Sequence, residues 1–177
     1  ERVPPLQSAP RSVDDFADGL ATLLDHLVRK RGYSSIRWLS IANEPNSRWW
    51  LGPGGKRQPM IPALRAVRAA LDERGLDVGL AAPGFSDLKD GRELIFDHTQ
   101  PIALAAYDAH SWGRPNAGGL SRWTRRARTA GIAFFLSEMG DMRFGSGDES
   151  PGPTTWAANL STVEKVLVGL NLGVDGF

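Results

Sequence analysis

The sequence predicts an α/β fold built on a parallel sheet, and three observations carry that prediction. Short apolar runs recur with enough residues between them for one helix and two loops. The intervening segments place apolar residues at helical spacing and stop at glycines. The runs themselves are apolar throughout, as expected of strands covered on both faces by right-handed crossover helices.

The first helix is announced by Ser12 with Asp15 three residues on, a capping-box arrangement, followed by Phe16, Leu20, Leu23, Leu24 and Leu27 on one face and Gly32 as the stop. "IRWLSIA" (36–42) reads as the first strand. A second helix, Ile61 to Arg74, carries Leu64, Val67 and Leu71 inward and closes at Gly75. "DVGLAA" (77–82) is the second strand, ending at Pro83-Gly84, and "GRELIFDHT" has the pattern of a short helix. "IALAAYDAH" (102–110) is the third strand. Helix 120–130 stops at Gly131, and "IAFFLSE" (132–138) is the fourth strand. After a Gly/Pro/acid-rich loop, a last helix puts Trp156, Leu160, Val163, Leu167 and Leu170 on one side, and "VDGF" opens a fifth strand. The regular elements holding Trp38, Trp123 and Trp156 favour packing roles for all three. No internal linker or repeat interrupts the pattern, so residues 1–177 read as one domain.

Composition narrows the function. With 21 Lys plus Arg against 20 Asp plus Glu, the net charge of +1 gives no field that selects nucleic acid or an anionic membrane. The Arg122–Arg128 helix face lacks interleaved aromatics for base stacking. There is no cysteine, and the three histidines, His26, His98 and His110, have no metal-ligand spacing, so no metal is expected. "GPGGKR" fails as a phosphate loop because Arg57 stands where Ser or Thr is needed, and no G-x-S-x-G marks a serine nucleophile. No cofactor motif is present. No apolar run approaches the roughly 20 residues that span a bilayer.

What does stand out is the punctuation of the strands. Asn43-Glu44, Pro83, His110 and Glu138 fall at successive strand ends, at intervals of 39, 27 and 28 residues. These positions share the rim on which parallel α/β proteins assemble their sites. In a flat sheet Glu44 and Glu138 would stand roughly 14 Å apart, three strand spacings, so they can act on one bond only if the sheet curls.

"SIANEPN" resembles the fourth strand of the clan A glycoside hydrolases, "YDAHSWG" their sixth and "FFLSEMG" their seventh, in the same order and at similar intervals. The resemblance, similar to families 5 and 39, covers nearly the whole chain. It implies a partial (β/α)8 TIM barrel with the first three strands absent, so that 1–177 is the C-terminal part of a catalytic domain. By that resemblance Glu44 is the acid/base, Glu138 the nucleophile and Asn43 a donor to the sugar 2-hydroxyl. His110 completes the substrate site with Trp112, Trp49 and Trp50, whose flat apolar surfaces suit sugar rings. The implied hydrolysis is retaining, which needs two carboxyl groups facing one bond. The implied substrate is a β-linked oligo- or polysaccharide, the implied partner is the missing part of the same barrel, and secretion follows by analogy. A complete barrel takes about 250 residues, and five strands leave two open edges. Two alternatives therefore accompany the hydrolase: a carbohydrate-binding relative without catalysis, and an inert fragment.

Overall fold

The computed structural model describes residues 9–46, 50–52, 60–88, 102–140 and 156–177. Its elements are α1 (Val13–Asp25, continued by a π-helical turn, His26–Lys30), β1 (Trp38–Ser40), α2 (Ile61–Glu73), β2 (Gly79–Phe85), β3 (Ala106–Trp112), α3 (Ala117–Ala130), β4 (Ala133–Gly140) and α4 (Trp156–Leu172). The four strands form one sheet in the order β1-β2-β3-β4, all pairs parallel. The fifth strand survives as a bridge, Phe135 to Gly176, flanked by hydrogen bonds from Asp175 N to Phe134 O (2.9 Å) and Leu136 N to Gly176 O (3.0 Å). The expected helix over "GRELIFDHT" lies outside the described residues.

Local sequence explains most boundaries. Ser12 Oγ accepts from Asp15 N at 3.1 Å, and Asn116 Oδ1 caps α3 by accepting from Gly119 N at 2.8 Å. β2 runs further than the sequence suggests, through Pro83 and Gly84 to Phe85, with its register against β3 shifting between Pro83 and Phe85. A proline can sit there because the ladder is already irregular at that point.

The convex face of the sheet carries the core. Leu64, Val67 and Leu71 of α2, Leu120 and Trp123 of α3, and Leu80, Phe134 and Leu136 of the strands are all fully buried. Trp123 is the hub: its ring stacks on Phe134 (5.9 Å between centroids, 15°) and meets Tyr107 and Phe85 edge-on at 5.5 and 6.4 Å. Its indole N–H is satisfied by Leu88 O at 3.3 Å. Burial raises the Tyr107 phenol above its usual range, with Arg126 opposing that rise, so this packing keeps its full strength through neutral pH.

The concave face is different. Ser40, Asp108, His110 and Ser137 point into it, lining a cavity of ≈360 Å³ together with Asn43 and Glu138. Trp38 of β1 and Phe135 of β4 meet edge-to-face across it, 5.0 Å between centroids, although they belong to the two outer strands. Side chains from strands three positions apart touch in this way because the sheet curls into a half-barrel. This corrects two expectations: the strands are not apolar on both faces, since Ser40, Asp108, His110 and Ser137 line the concave side, and Trp38 is 51% exposed rather than packed under a helix.

Helix α4 brings a third correction. Its apolar stripe, Trp156, Leu160, Val163, Leu167 and Leu170, faces solvent, whereas Ala158, Ser161, Lys165 and Gly169 face the fold. Periodicity locates two faces of a helix; it does not say which one packs. Among the described residues no helix is long and apolar enough to cross a membrane.

Candidate active site

The C-terminal rim of the sheet gathers the candidate residues. His110 and Glu138 are register partners on β3 and β4, brought level by an irregularity between Ala109 and His110. His110 is buried, and its Nδ1 lies 3.6 Å from Glu138 Oε2. Glu44 arrives from β1, two strands away, by a turn. Its φ of +45° is a left-handed conformation that a non-glycine residue adopts at a cost. Its backbone N–H donates to Gly84 O at 2.9 Å. Gly84 must be glycine here: its own φ is +64°, and a Cβ would lie 2.8 Å from Ala42 O. Ser86 N donating to Asn46 Oδ1 at 2.9 Å ties the same turn from its other side.

The turn delivers the Glu44 carboxyl to two donors. His110 Nδ1 lies 3.0 Å and Trp112 Nε1 3.1 Å from Glu44 Oε1. One oxygen of Glu44, one of Glu138 and Nδ1 of His110 all lie within 4.8 Å of one another. One oxygen of each carboxyl group is thus within 4.8 Å of the other. Glu44 is the more sheltered, its side chain 16% exposed against 45% for Glu138. An imidazole with two carboxylates at this spacing is also a donor set that could hold a divalent cation.

The sequence expectations fare unequally. Glu44, Glu138, His110 and Trp112 are brought together. Asn43 lines the same cavity from the end of β1. Of the two carboxyls, His110 makes its shorter contact with Glu44. Trp50 is 3% exposed and packs edge-to-face on Phe16, 6.2 Å between centroids, so its ring belongs to the core and offers no face to a sugar. Trp49 lies outside the described residues. Trp112 is 38% exposed, which leaves part of its ring open, and its N–H bond to Glu44 gives it a second task that a flat apolar platform would not have.

Sequence reasoning missed the supports. Asp108, 3% exposed, accepts from Ser137 Oγ beneath the carboxyl pair. Gly140 lies under Trp112 so closely that a Cβ would come within 2.8 Å of the ring. The signal for Gly140 was its place two residues after a strand-terminal glutamate. Asp108 carried no signal beyond a charge inside an apolar run.

No protein-family model matches the chain, and no curated protein matches it in sequence. In fold it is similar to a GH39 β-xylosidase from Caulobacter crescentus, with a TM-score of 0.71 at 12% identity over 96% of this chain and 39% of that one. An intracellular xylanase from Thermoanaerobacterium saccharolyticum matches with a TM-score of 0.55 at 13% identity, over 90% of this chain and 51% of its own. The GH39 enzyme from Xanthomonas axonopodis pv. citri gives 0.54 at 13%, over 75% and 31%. These structural neighbours are glycoside hydrolases, and what the chain shares with them is the barrel fold. The chain spans about two fifths of the Caulobacter enzyme's length and no more than about half of the other two. The half-barrel seen here is thus a partial (β/α)8 architecture, as the resemblance to the clan A barrels implies.

Proposed function

We propose that this chain is the C-terminal part of the catalytic domain of a retaining glycoside hydrolase acting on β-linked glycans. The observation that carries the reading is the approach of one oxygen of Glu44 and one of Glu138 to within 4.8 Å. Retaining enzymes hold their two carboxyls about 5 to 5.5 Å apart, and inverting ones about 6.5 to 9.5 Å to admit a water. In the first step Glu138 attacks the anomeric carbon while Glu44 gives its proton to the departing glycosidic oxygen. In the second, Glu44 takes a proton from water, the resulting oxygen attacks the same carbon, and Glu138 leaves as a carboxylate. The protons balance over the cycle with these two side chains alone.

The other residues take supporting roles. His110 and Trp112 hold the Glu44 carboxyl by its Oε1, and Asn43 addresses a sugar hydroxyl from the edge of the cavity. The exposed part of the Trp112 ring stacks on a sugar face. The partner that completes the cleft is the remainder of the barrel. Names such as β-xylosidase and xylanase among the structural relatives make xylose-containing glycans the first substrates to try.

The test is stereochemical. With the full chain and an aryl β-xyloside, the sugar first released should be the β-anomer by proton NMR. Release of the α-anomer would show inversion and refute the double displacement; saturable oligosaccharide binding with no release would establish the non-catalytic alternative.

A further inference from the structure

Lysine 165 has no part in the chemistry proposed above, yet it is fully buried on an outer helix. Taking an ammonium group out of water is costly unless it is answered by hydrogen bonds. The helix that carries it has ample apolar side chains for packing and turns them outward: Leu160, Val163, Leu167 and Leu170 are all exposed. The inward face of α4 is Ala158, Ser161, Lys165 and Gly169, small or polar residues that let the lysine stem cross to the end of β4. There Nζ donates to Gly140 O.

That carbonyl sits at a junction. It also accepts from Gly113 N at 3.1 Å, which joins the end of β4 to the residue after Trp112. The Gly140 Cα lies directly beneath the Trp112 ring, at a distance that excludes a Cβ. Trp112 in turn donates to Glu44 Oε1 at 3.1 Å. We propose that Lys165 is a positioning residue: it anchors the Gly140 carbonyl, the carbonyl and its glycine seat the Trp112 indole, and the indole N–H orients Glu44. Its catalytic consequence rests on the double-displacement reading of Glu44, whereas the seating of Trp112 does not.

Two readouts in the full chain separate those parts. The first is the Trp112 indole N–H resonance, assigned by its loss in Trp112→Phe. Lys165→Met keeps the unbranched stem and removes the donor, and it should shift or broaden that resonance while the other indoles stay put. An unmoved Trp112 resonance overturns the proposal whatever the protein catalyses.

The second readout is leaving-group dependence. A misaimed acid slows glycosides whose leaving group needs the proton, so Lys165→Met should cost about tenfold in kcat/KM on an alkyl β-xyloside and less than about twofold on a 2,4-dinitrophenyl β-xyloside. Trp112→Phe should lose at least as much on the alkyl glycoside, and the double variant should lose no more there than the worse single one. Equal losses on both substrates, or losses that multiply in the double variant, would mean that Lys165 only supports the fold. If the unsubstituted protein cleaves neither glycoside, the hydrolase reading falls and the indole resonance alone decides this one. Lys165→Arg, which keeps a donor on a long stem, should restore both readouts. If Lys165→Met does not fold, Lys165→Gln replaces it, since its amide falls short of the carbonyl.

Discussion

The two faces of the curled sheet follow opposite rules. On the convex face, Leu80, Phe134 and Leu136 are sealed beneath α2 and α3, and Trp123 fills the space between with three aromatic contacts. On the concave face the same strands present Ser40, Asp108, His110 and Ser137 to an open cavity. One face lowers its free energy by removing apolar area from water. The other holds polar groups in a fixed arrangement and spends conformational strain to do so, as the left-handed Glu44 records. Substitutions should therefore separate: changes on the concave rim alter activity with little effect on folding, and changes on the convex side alter folding first.

The largest effect sharpens the rim half of that contrast. Under the double displacement proposed above, Glu138→Gln keeps the shape and removes the attacking oxygen, so turnover of an aryl β-glycoside should fall by at least about 10⁴-fold. Glu138 has nearly half of its side chain exposed and is not part of the core. The melting temperature should accordingly move by no more than a surface substitution does, within about ±0.5 kcal/mol. A large loss of stability alongside the loss of turnover would break the separation.

Trp123→Ala tests the other half. It removes a fully buried indole with its stacking partner Phe134 and its bond to Leu88 O, and should cost about 3–5 kcal/mol in urea unfolding. Protein that remains folded below the transition should keep kcat on the aryl β-glycoside within about threefold, because Trp123 touches no group of the carboxyl pair. A loss of kcat with stability preserved would mean that the helix side controls the site directly.

Much of this contrast is legible in the amino-acid order, for different reasons on each side. The alternation of strands and helices, the Ser12 cap and the buried Leu64, Val67 and Leu71 of α2 follow from local spacing. The rim was legible because Glu44, His110 and Glu138 end strands, and the parallel topology then puts them on one edge. The rest depends on contacts that are distant in sequence. Which face of α4 turns inward depends on what it packs against. Whether Trp50 stacks on a sugar or on Phe16 depends on a helix more than thirty residues earlier in the chain. The indole N–H of Trp112 has the same freedom in any sequence until Gly140 and Glu44 fix where it points.

The smallest effect bears on the strain itself. Glu44→Ala and Glu44→Gly both remove the carboxyl, so both should lose equally the acid/base function proposed for it. They differ only in how they tolerate φ = +45° at this position. Alanine in the left-handed region costs roughly 1–2 kcal/mol, and glycine almost nothing. Glycine gives part of that back, since its unfolded chain is freer by about 0.4–1 kcal/mol. The net expectation is that Glu44→Gly unfolds at higher urea than Glu44→Ala, by about 0.5–1 kcal/mol. The bond from the residue 44 amide to Gly84 O is available to both variants and cancels. If alanine proves as stable as glycine, the turn relaxes once the carboxyl is gone. The bonds from His110 and Trp112 to Glu44 would then be what holds the backbone in its strained form, so that the site would shape its own turn.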